Sequence, residues 1–304
     1  MSRDLHDQRF GAHLSVAGGL EKAFAAATEL GCDCLQIFVK NQRQWSAPPL
    51  SEEQIRRFRA AARGGPRPVL AHGSYLLNLA SPDSAVRRRS ILALIDELTR
   101  CEALGIRGLV LHPGAHLGEG LDRGIARIAA SLDEAHDATP GFRVRALLET
   151  TAGQGTTIGH EPAHLGRVLG GVRHPERLGV CVDTCHVFAA GYDLRAADGY
   201  ERLIADLSRH VGLRRIHCLH VNDSQAPCHA RVDRHEHIGR GRIGRAGFVR
   251  LVNDQRLAAL PKILETPKGR DGRGVDLDRV NLRRLRGMIG RPAPAARPSP
   301  PGRG

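Results

Sequence analysis

Aromatic side chains are scarce in this 304-residue chain; Phe, Trp and Tyr together make up 4% of it. Any core must therefore be filled mainly by aliphatic side chains. No apolar run approaches the length of a membrane-spanning helix. The opening segment MSRDLHDQRF is polar and has no hydrophobic stretch of the kind a secretory signal carries. A cytoplasmic protein with no membrane contact is the expectation. The seven cysteines (Cys32, Cys34, Cys101, Cys181, Cys185, Cys218 and Cys228) are odd in number, and no pair has the spacing of a structural zinc site. They read as reduced, mostly buried thiols rather than a disulfide framework. Positive charge, by contrast, is abundant: the formal net charge is +13 and the pI about 10.3. Such a balance favours polyanionic partners, nucleic acid above all, although an arginine-rich composition alone gives the same sign.

Short apolar runs alternate with amphipathic stretches along the chain. Eight runs read as strands: FGAHLSV (10–16), CLQIFV (34–39), RPVLAH (67–72), RGLVLH (107–112), VRALLET (144–150), LGVCVDT (178–184), RIHCLHV (215–221) and PKILET (261–266). Between them lie helical patterns such as SEEQIRRFRAAARGG, with Ser at the start and Gly at the end. Strands alternating with helices mean parallel βαβ units. Eight units in this length predict an α/β fold, a (β/α)8 barrel forming one catalytic domain over residues 1–289; a doubly wound open sheet is the alternative. The remainder, 290–304 (GRPAPAARPSPPGRG), is rich in Pro, Gly and Arg and reads as a disordered tail. Removing its three arginines from the +13 still leaves +10, so the basic character belongs to the folded part.

Barrel enzymes carry their chemistry at the C-terminal ends of the strands. Those ends hold His72, His112, Glu149, Asp183, His220 and Glu265, with His186 three residues after Asp183. The loop after the seventh run holds RVDRHEH, where Asp233, His235 and His237 occupy alternate positions and an extended chain would turn them to one side. A chance scatter of 16 histidines would not choose strand ends so consistently. A set of His, Asp and Glu without Cys suits zinc, manganese or iron at a hydrolytic centre. Even with His237 set aside, nine ligands are too many for one ion and fit two or three. Three divalent ions against four carboxylates would leave about two positive charges, a seat for a phosphodiester and a hydroxide.

Two motif matches point elsewhere. HEPAH (160–164) fits the zinc-protease pattern H-E-x-x-H, but Pro162 belongs at a first helical position, which leaves His160 outside the helix. GRGRIG (239–244) fits G-x-G-x-x-G, yet it follows no apolar strand, so it reads as a loop rather than a dinucleotide site.

The segments GAHLSVAGGL (11–20), KNQRQW (40–45), HGSYLLNLA (72–80), LHPG (111–114), LLETTAGQG (147–155), VDTCHVFAAGYD (182–193), HVNDS (220–224), VDRHEHIG (232–239) and LETP (264–267) together resemble endonuclease IV, the metal-dependent apurinic/apyrimidinic endonucleases of base-excision repair. The match runs in order from residue 11 to about 267. The resemblance implies a barrel with three Zn2+ ions, Mn2+ being a possible substitute. His72 and His112 would hold one ion. Glu149 would bridge it to a second, completed by Asp183, His220 and Glu265. His186, Asp233 and His235 would hold the third, with His237 outside the ligand set. It also implies a monomer that cuts duplex DNA 5′ to abasic sites, leaving a 3′-hydroxyl and a 5′-deoxyribose phosphate, and trims blocked 3′ ends. Glu149 and Glu265 would be catalytic, Glu265 orienting the nucleophile. Arg43, Tyr75 and Leu76 would enter the base stack of a kinked duplex, while Trp45 reads as a packing residue. The chain departs from the family pattern at HIGRGRIG, where Arg240 stands in place of an acidic residue, and at APCHA before Arg231. A sugar isomerase or epimerase on the same kind of barrel is a rival reading, as is a DNA-binding protein with structural metals.

Overall fold

A computed structural model describes residues 5–293. Ten strands follow in order: β1 (Phe10–Leu14), β2 (Cys34–Phe38), β3 (Val69–His72), β4 (Gly108–Leu111), β5 (Arg145–Glu149), β6 (Leu178–Asp183), β7 (Ile216–His220), β8 (Asp223–Ser224), β9 (His235–Glu236) and β10 (Lys262–Leu264). The helices are α1 (Lys22–Leu30), α2 (Glu52–Gly64), α3 (Ser84–Leu104), α4 (Leu121–Asp137), α5 (Pro162–Gly171), α6 (Thr184–Ala190), α7 (Ala197–His210), α8 (Gly244–Val252) and α9 (Leu277–Arg286). Eight strands close into a parallel barrel in the order β1-β10-β7-β6-β5-β4-β3-β2. Every apolar run expected to be a strand forms one of these eight, and the open-sheet alternative falls because β1 pairs with β2 on one side and with β10 on the other. The short β8 and β9 pair antiparallel in the loop beyond β7.

The strands are near-continuous apolar runs because a barrel strand is covered on both faces, by helices outside and by packed side chains inside. The inside is narrow. Cys34, Leu70, Val110, Leu147, Cys181, Cys218 and Ile263 fill a layer of it, which explains three of the cysteines as small soft core residues. Gly11 is needed where β1 meets β2, since a Cβ there would run into the Cys34 carbonyl. Six of the seven cysteines are buried, Cys228 is partly so, and all are free thiols.

Helix ends follow the sequence signals. Ser51 caps α2 reciprocally with Gln54, and the Asp83 carboxylate accepts from the Ala85 and Val86 amides at the start of α3, each cap contributing about 1 kcal/mol. No helix among the described residues is long and apolar enough to cross a membrane. Of the expected tail, Arg291 still touches the body through its carbonyl, which accepts from Asn253 Nδ2. Residues 294–304 lie outside the described residues.

Candidate metal centre

The strand-end residues converge on one mouth of the barrel. Glu149 closes β5 and is fully buried, and its two oxygens face different partners. Oε2 lies 3.3 Å from His72 Nε2 and 3.1 Å from His112 Nε2, while Oε1 lies 2.6 Å from His220 Nδ1. The same His220 Nδ1 is also 3.2 Å from Glu265 Oε2 and 4.0 Å from Asp183 Oδ2. A third group adjoins. Asp233 places one oxygen 3.2 Å from His186 Nε2 and the other 3.3 Å from His235 Nε2. Asp183 stands between the second and third groups, since its Oδ2 is also 3.6 Å from His235 Nε2. Asp233 and His235, two residues apart, therefore do face one point. His237 turns away and is buried against Asn281 of α9, whose amide meets its Nδ1 at 3.0 Å.

The histidines are oriented for ligation. Four of them give the proton of the far ring nitrogen to a fixed oxygen: His72 Nδ1 to Gly73 O at 2.8 Å, His186 Nδ1 to Thr150 O at 2.7 Å, His220 Nε2 to Gln36 Oε1 at 2.9 Å and His235 Nδ1 to Glu265 O at 3.1 Å. Each lone pair that remains points at the carboxylates, the arrangement that metal-bound imidazoles use. His235 Nε2 is buried without any hydrogen-bond partner, an orphan that an ion would satisfy. The donor set of five imidazoles and four carboxylates fits zinc or manganese.

Sequence reasoning missed the residues that hold these ligands. Gln36 of β2 donates from Nε2 to Glu265 Oε1 at 2.7 Å while its Oε1 takes the His220 proton. His13 of β1, paired in register with Gln36, lies 3.2 Å from the same Glu265 oxygen. Asn222 donates to Asp183 Oδ2 at 2.7 Å and accepts from the Glu265 amide at 2.7 Å. The signal was present in Gln36, a single amide inside the apolar run CLQIF, and it needed a partner that only the fold supplies.

The cluster has a buried floor and an open rim. The side chains of Glu149, Asp183 and His220 are 0% exposed, whereas His112 is 35% and Asp233 39% exposed. Burial pushes the Glu149 carboxyl up, but His220 and His112 outweigh it and hold it well below the usual carboxylate range. Burial lowers the affinity of His220 and His186 for protons. The facing carboxylates, Glu265 and Glu149 for the first and Asp183 and Asp233 for the second, more than reverse that and raise both imidazoles well above their ordinary value. Protons and metal ions thus compete for the same lone pairs.

Two loops stand over the mouth. Tyr75 is 59% exposed, yet its ring lies 5.3 Å from that of His72 and 6.2 Å from that of His112. Leu76 is half-buried beside it, and Arg43 is exposed on the neighbouring loop. Trp45 packs against the core under the Arg89 guanidinium, as a packing residue would. A groove of about 650 Å³ beside these loops is bordered by His13, Lys40, Arg43 and Lys268. The loops are tied together from behind. Ser74 Oγ donates to Gln42 O at 2.7 Å and accepts from the Leu76 amide, and the Ser74 amide donates to Glu97 of α3. Buried Lys40 bridges Glu97, Asp96 and the Trp45 carbonyl, and Arg100 holds the carbonyls of Ala47 and Pro48.

The two decoy motifs resolve physically. Pro162 is the first residue of α5 and His160 lies before it. The glycine-rich segment 239–244 wraps the protein's own anion: the amides of Gly239, Gly241, Ile243 and Gly244 all point at the buried Asp223 carboxylate at 2.9–3.3 Å. A Cβ on Gly241 would strike that carboxylate, so glycine is required there. Arg240 and Arg242 are left exposed.

A buried His/carboxylate cluster at the C-terminal mouth of an eight-stranded barrel makes a candidate metal centre, and residues 24–286 match the family described as xylose isomerase-like TIM barrel. Relatives narrow the class. The chain is 51% identical over 282 residues to a probable endonuclease 4 of Chloroflexus aurantiacus, covering 92% of this chain and 98% of the relative. It is 45% identical over 291 residues to a probable endonuclease 4 of Geobacter sulfurreducens, covering 95% and 97%. The crystal structure of endonuclease IV from Thermus thermophilus superposes with a TM-score of 0.81 at 35% identity, covering 92% of this chain and 98% of that one. A D-tagatose 3-epimerase-like protein shares the fold alone, at 18% identity and a TM-score of 0.69. The chain belongs to the endonuclease IV family and is an enzyme, a DNA-cleaving hydrolase.

Proposed function

We propose that this protein hydrolyses the phosphodiester 5′ to abasic sites in duplex DNA, leaving a 3′-hydroxyl and a 5′-deoxyribose phosphate, and that it also trims blocked 3′ ends. Three zinc ions, replaceable by manganese, would be held by His72, His112 and Glu149; by Glu149, Asp183, His220 and Glu265; and by His186, Asp233 and His235. The observation that carries the reading is the meeting of these groups around one carboxylate, Glu149, whose two oxygens face separate histidines. Bound zinc supplies a water of lowered pKa and positive charge for the phosphoryl oxygens.

The chain's own residues do the positioning. Glu265 lies just past β10, largely buried, with one oxygen fixed by Gln36, and would orient the attacking nucleophile through the other. Arg43, Tyr75 and Leu76 would enter the stack and hold a kinked duplex with the abasic nucleotide turned out; a nucleotide without a base loses little stacking when it leaves. The loops are braced beforehand by Glu97, Lys40 and Arg100, so little ordering remains to be done on binding. The reading has the protein act as a monomer in the cytoplasm, a compartment that suits its free thiols.

The test is the chemistry of the cut ends. A duplex with one natural abasic site should yield a 3′ end that a DNA polymerase extends directly. A 3′ end that resists extension would indicate β-elimination, and an uncut duplex combined with turnover of a ketose would support the epimerase rival.

A further inference from the structure

The barrel mouth absorbs five histidines but leaves the pair in HEPAH unused. Pro162 keeps His160 off α5, so the two histidines do not share a helix face in the zinc-protease manner. They meet nonetheless. Their rings lie 4.6 Å apart, edge to face. Glu161, between them in sequence, sets one oxygen 3.9 Å from His160 Nε2 and the other 3.8 Å from His164 Nε2. A donor atom from each of the three residues lies within 4.8 Å of the other two. Donors of one tetrahedral zinc stand roughly 3.3–3.5 Å apart, and Glu161 is 60% exposed and free to close that small gap.

The two imidazoles are prepared unequally. His160 Nδ1 gives its proton to Thr157 O at 3.2 Å, which frees Nε2 towards Glu161. His164 is buried, and burial together with His160 lowers its pKa to about 4, so it is neutral and keeps a lone pair near neutrality. Its Nδ1 takes a long 3.4 Å contact from the Gly159 amide, which ligation through Nε2 would give up. His160 and Glu161 border an open cleft of about 430 Å³ lined also by His210, His229 and Asp206, with room for water to complete an ion's coordination, while His164 lies buried behind them.

We propose that His160, Glu161 and His164 form a further zinc site on the side of the barrel, separate from the nine donors at the mouth. Two imidazoles and a carboxylate with an open position are a recurrent zinc ligand set, and imidazole disfavours magnesium and calcium. The ion would fasten the end of the loop after β5 to the start of α5. That loop begins at Thr150, which holds Asp183 and His186. The site stands or falls independently of the chemistry at the mouth.

The test counts metal. Full-length protein and the variants His160→Asn and Glu161→Gln are dialysed against buffered micromolar free Zn2+, and zinc per chain is measured by mass spectrometry. Glu161 is exposed, and asparagine at the partly buried position 160 keeps a polar group within reach of the loop, so the variants should fold. The expected result is one zinc fewer per chain in His160→Asn, weaker retention of the same ion in Glu161→Gln, and unchanged cleavage of abasic DNA. Cobalt substitution should show the matching loss of a visible absorption band. Equal zinc in parent and variants would overturn the proposal. If the one-zinc difference persists while neither protein cuts abasic DNA, the side site is upheld and the reading of the barrel mouth fails instead.

Discussion

Replacing Gln36 with Leu should loosen the metal centre without touching a ligand. The side chain is fully buried in β2 and makes three hydrogen-bond contacts, Nε2 to Glu265 Oε1 at 2.7 Å and to His13 Nδ1 at 3.0 Å, and Oε1 from His220 Nε2 at 2.9 Å. Leucine keeps the volume, so the barrel interior should not collapse. What is lost is a hydrogen bond to a carboxylate, worth about 1.5–3 kcal/mol, and a partner for a buried ring N–H, whose isolation costs about 1–3 kcal/mol. Part of that penalty falls on the ion-free protein as well. A net loss of roughly 2 kcal/mol in ion affinity is expected, which agrees with the 10- to 100-fold typical for removing a residue that orients a ligand. The assay is zinc transfer to a competing chelator, read beside single-turnover cleavage at fixed free zinc. Zinc should leave the variant about 10- to 100-fold more readily, and excess zinc should restore much of the rate. Release within twofold of the parent would refute the idea that Gln36 sets the geometry of His220 and Glu265.

Other outcomes follow from the same geometry. Glu265→Gln should keep the fold and DNA binding but lose cleavage by about 10²- to 10⁴-fold in single turnover; an unchanged rate would remove Glu265 from the chemistry. Tyr75→Ala should weaken binding to abasic duplex by about 1–3 kcal/mol, the worth of a stacking contact, with intact duplex much less affected; equal losses on both in a gel-shift titration would argue against a role in damage recognition. Because His220 and His186 hold protons more tightly than ordinary imidazoles when no ion is bound, zinc must displace protons near neutrality. Zinc affinity should therefore fall as pH is lowered from 8 to about 6, with proton release measurable by calorimetry in two buffers of different ionisation enthalpy; binding independent of pH and buffer would contradict it.

The fold was legible because buried barrel strands have little freedom in sequence. Each must be an apolar run, and each stands out between amphipathic helices. The convergence of the candidate donors was legible for a related reason: His, Asp and Glu at the ends of apolar strands have no other structural purpose in common. The strands proved shorter than their apolar runs, with β10 ending at Leu264 and β4 at Leu111, so Glu265 and His112 sit just past the ladder. What could not be read were pairings across the barrel. Nothing in CLQIF says that its glutamine meets His220 from seven-tenths of the way along the chain. Asp96, Glu97 and Arg100 look like the polar face of an ordinary helix, yet they hold the loops that carry Arg43 and Tyr75. The motif GRGRIG looks like a phosphate cradle, and only the fold shows that Asp223 occupies it. Likewise the spacing of HEPAH excludes one kind of metal site without revealing that the two rings still touch.

The most direct test of the central claim is single-turnover cleavage of a duplex carrying one tetrahydrofuran abasic analogue, in a preparation whose zinc is counted and whose His160→Asn variant is run alongside. That analogue cannot undergo β-elimination. A cut on its 5′ side by protein that holds three zinc ions at the mouth, lost on chelation and regained on adding zinc, is the predicted result. An uncut duplex with every ion in place would mean that the barrel and its metals serve a different substrate.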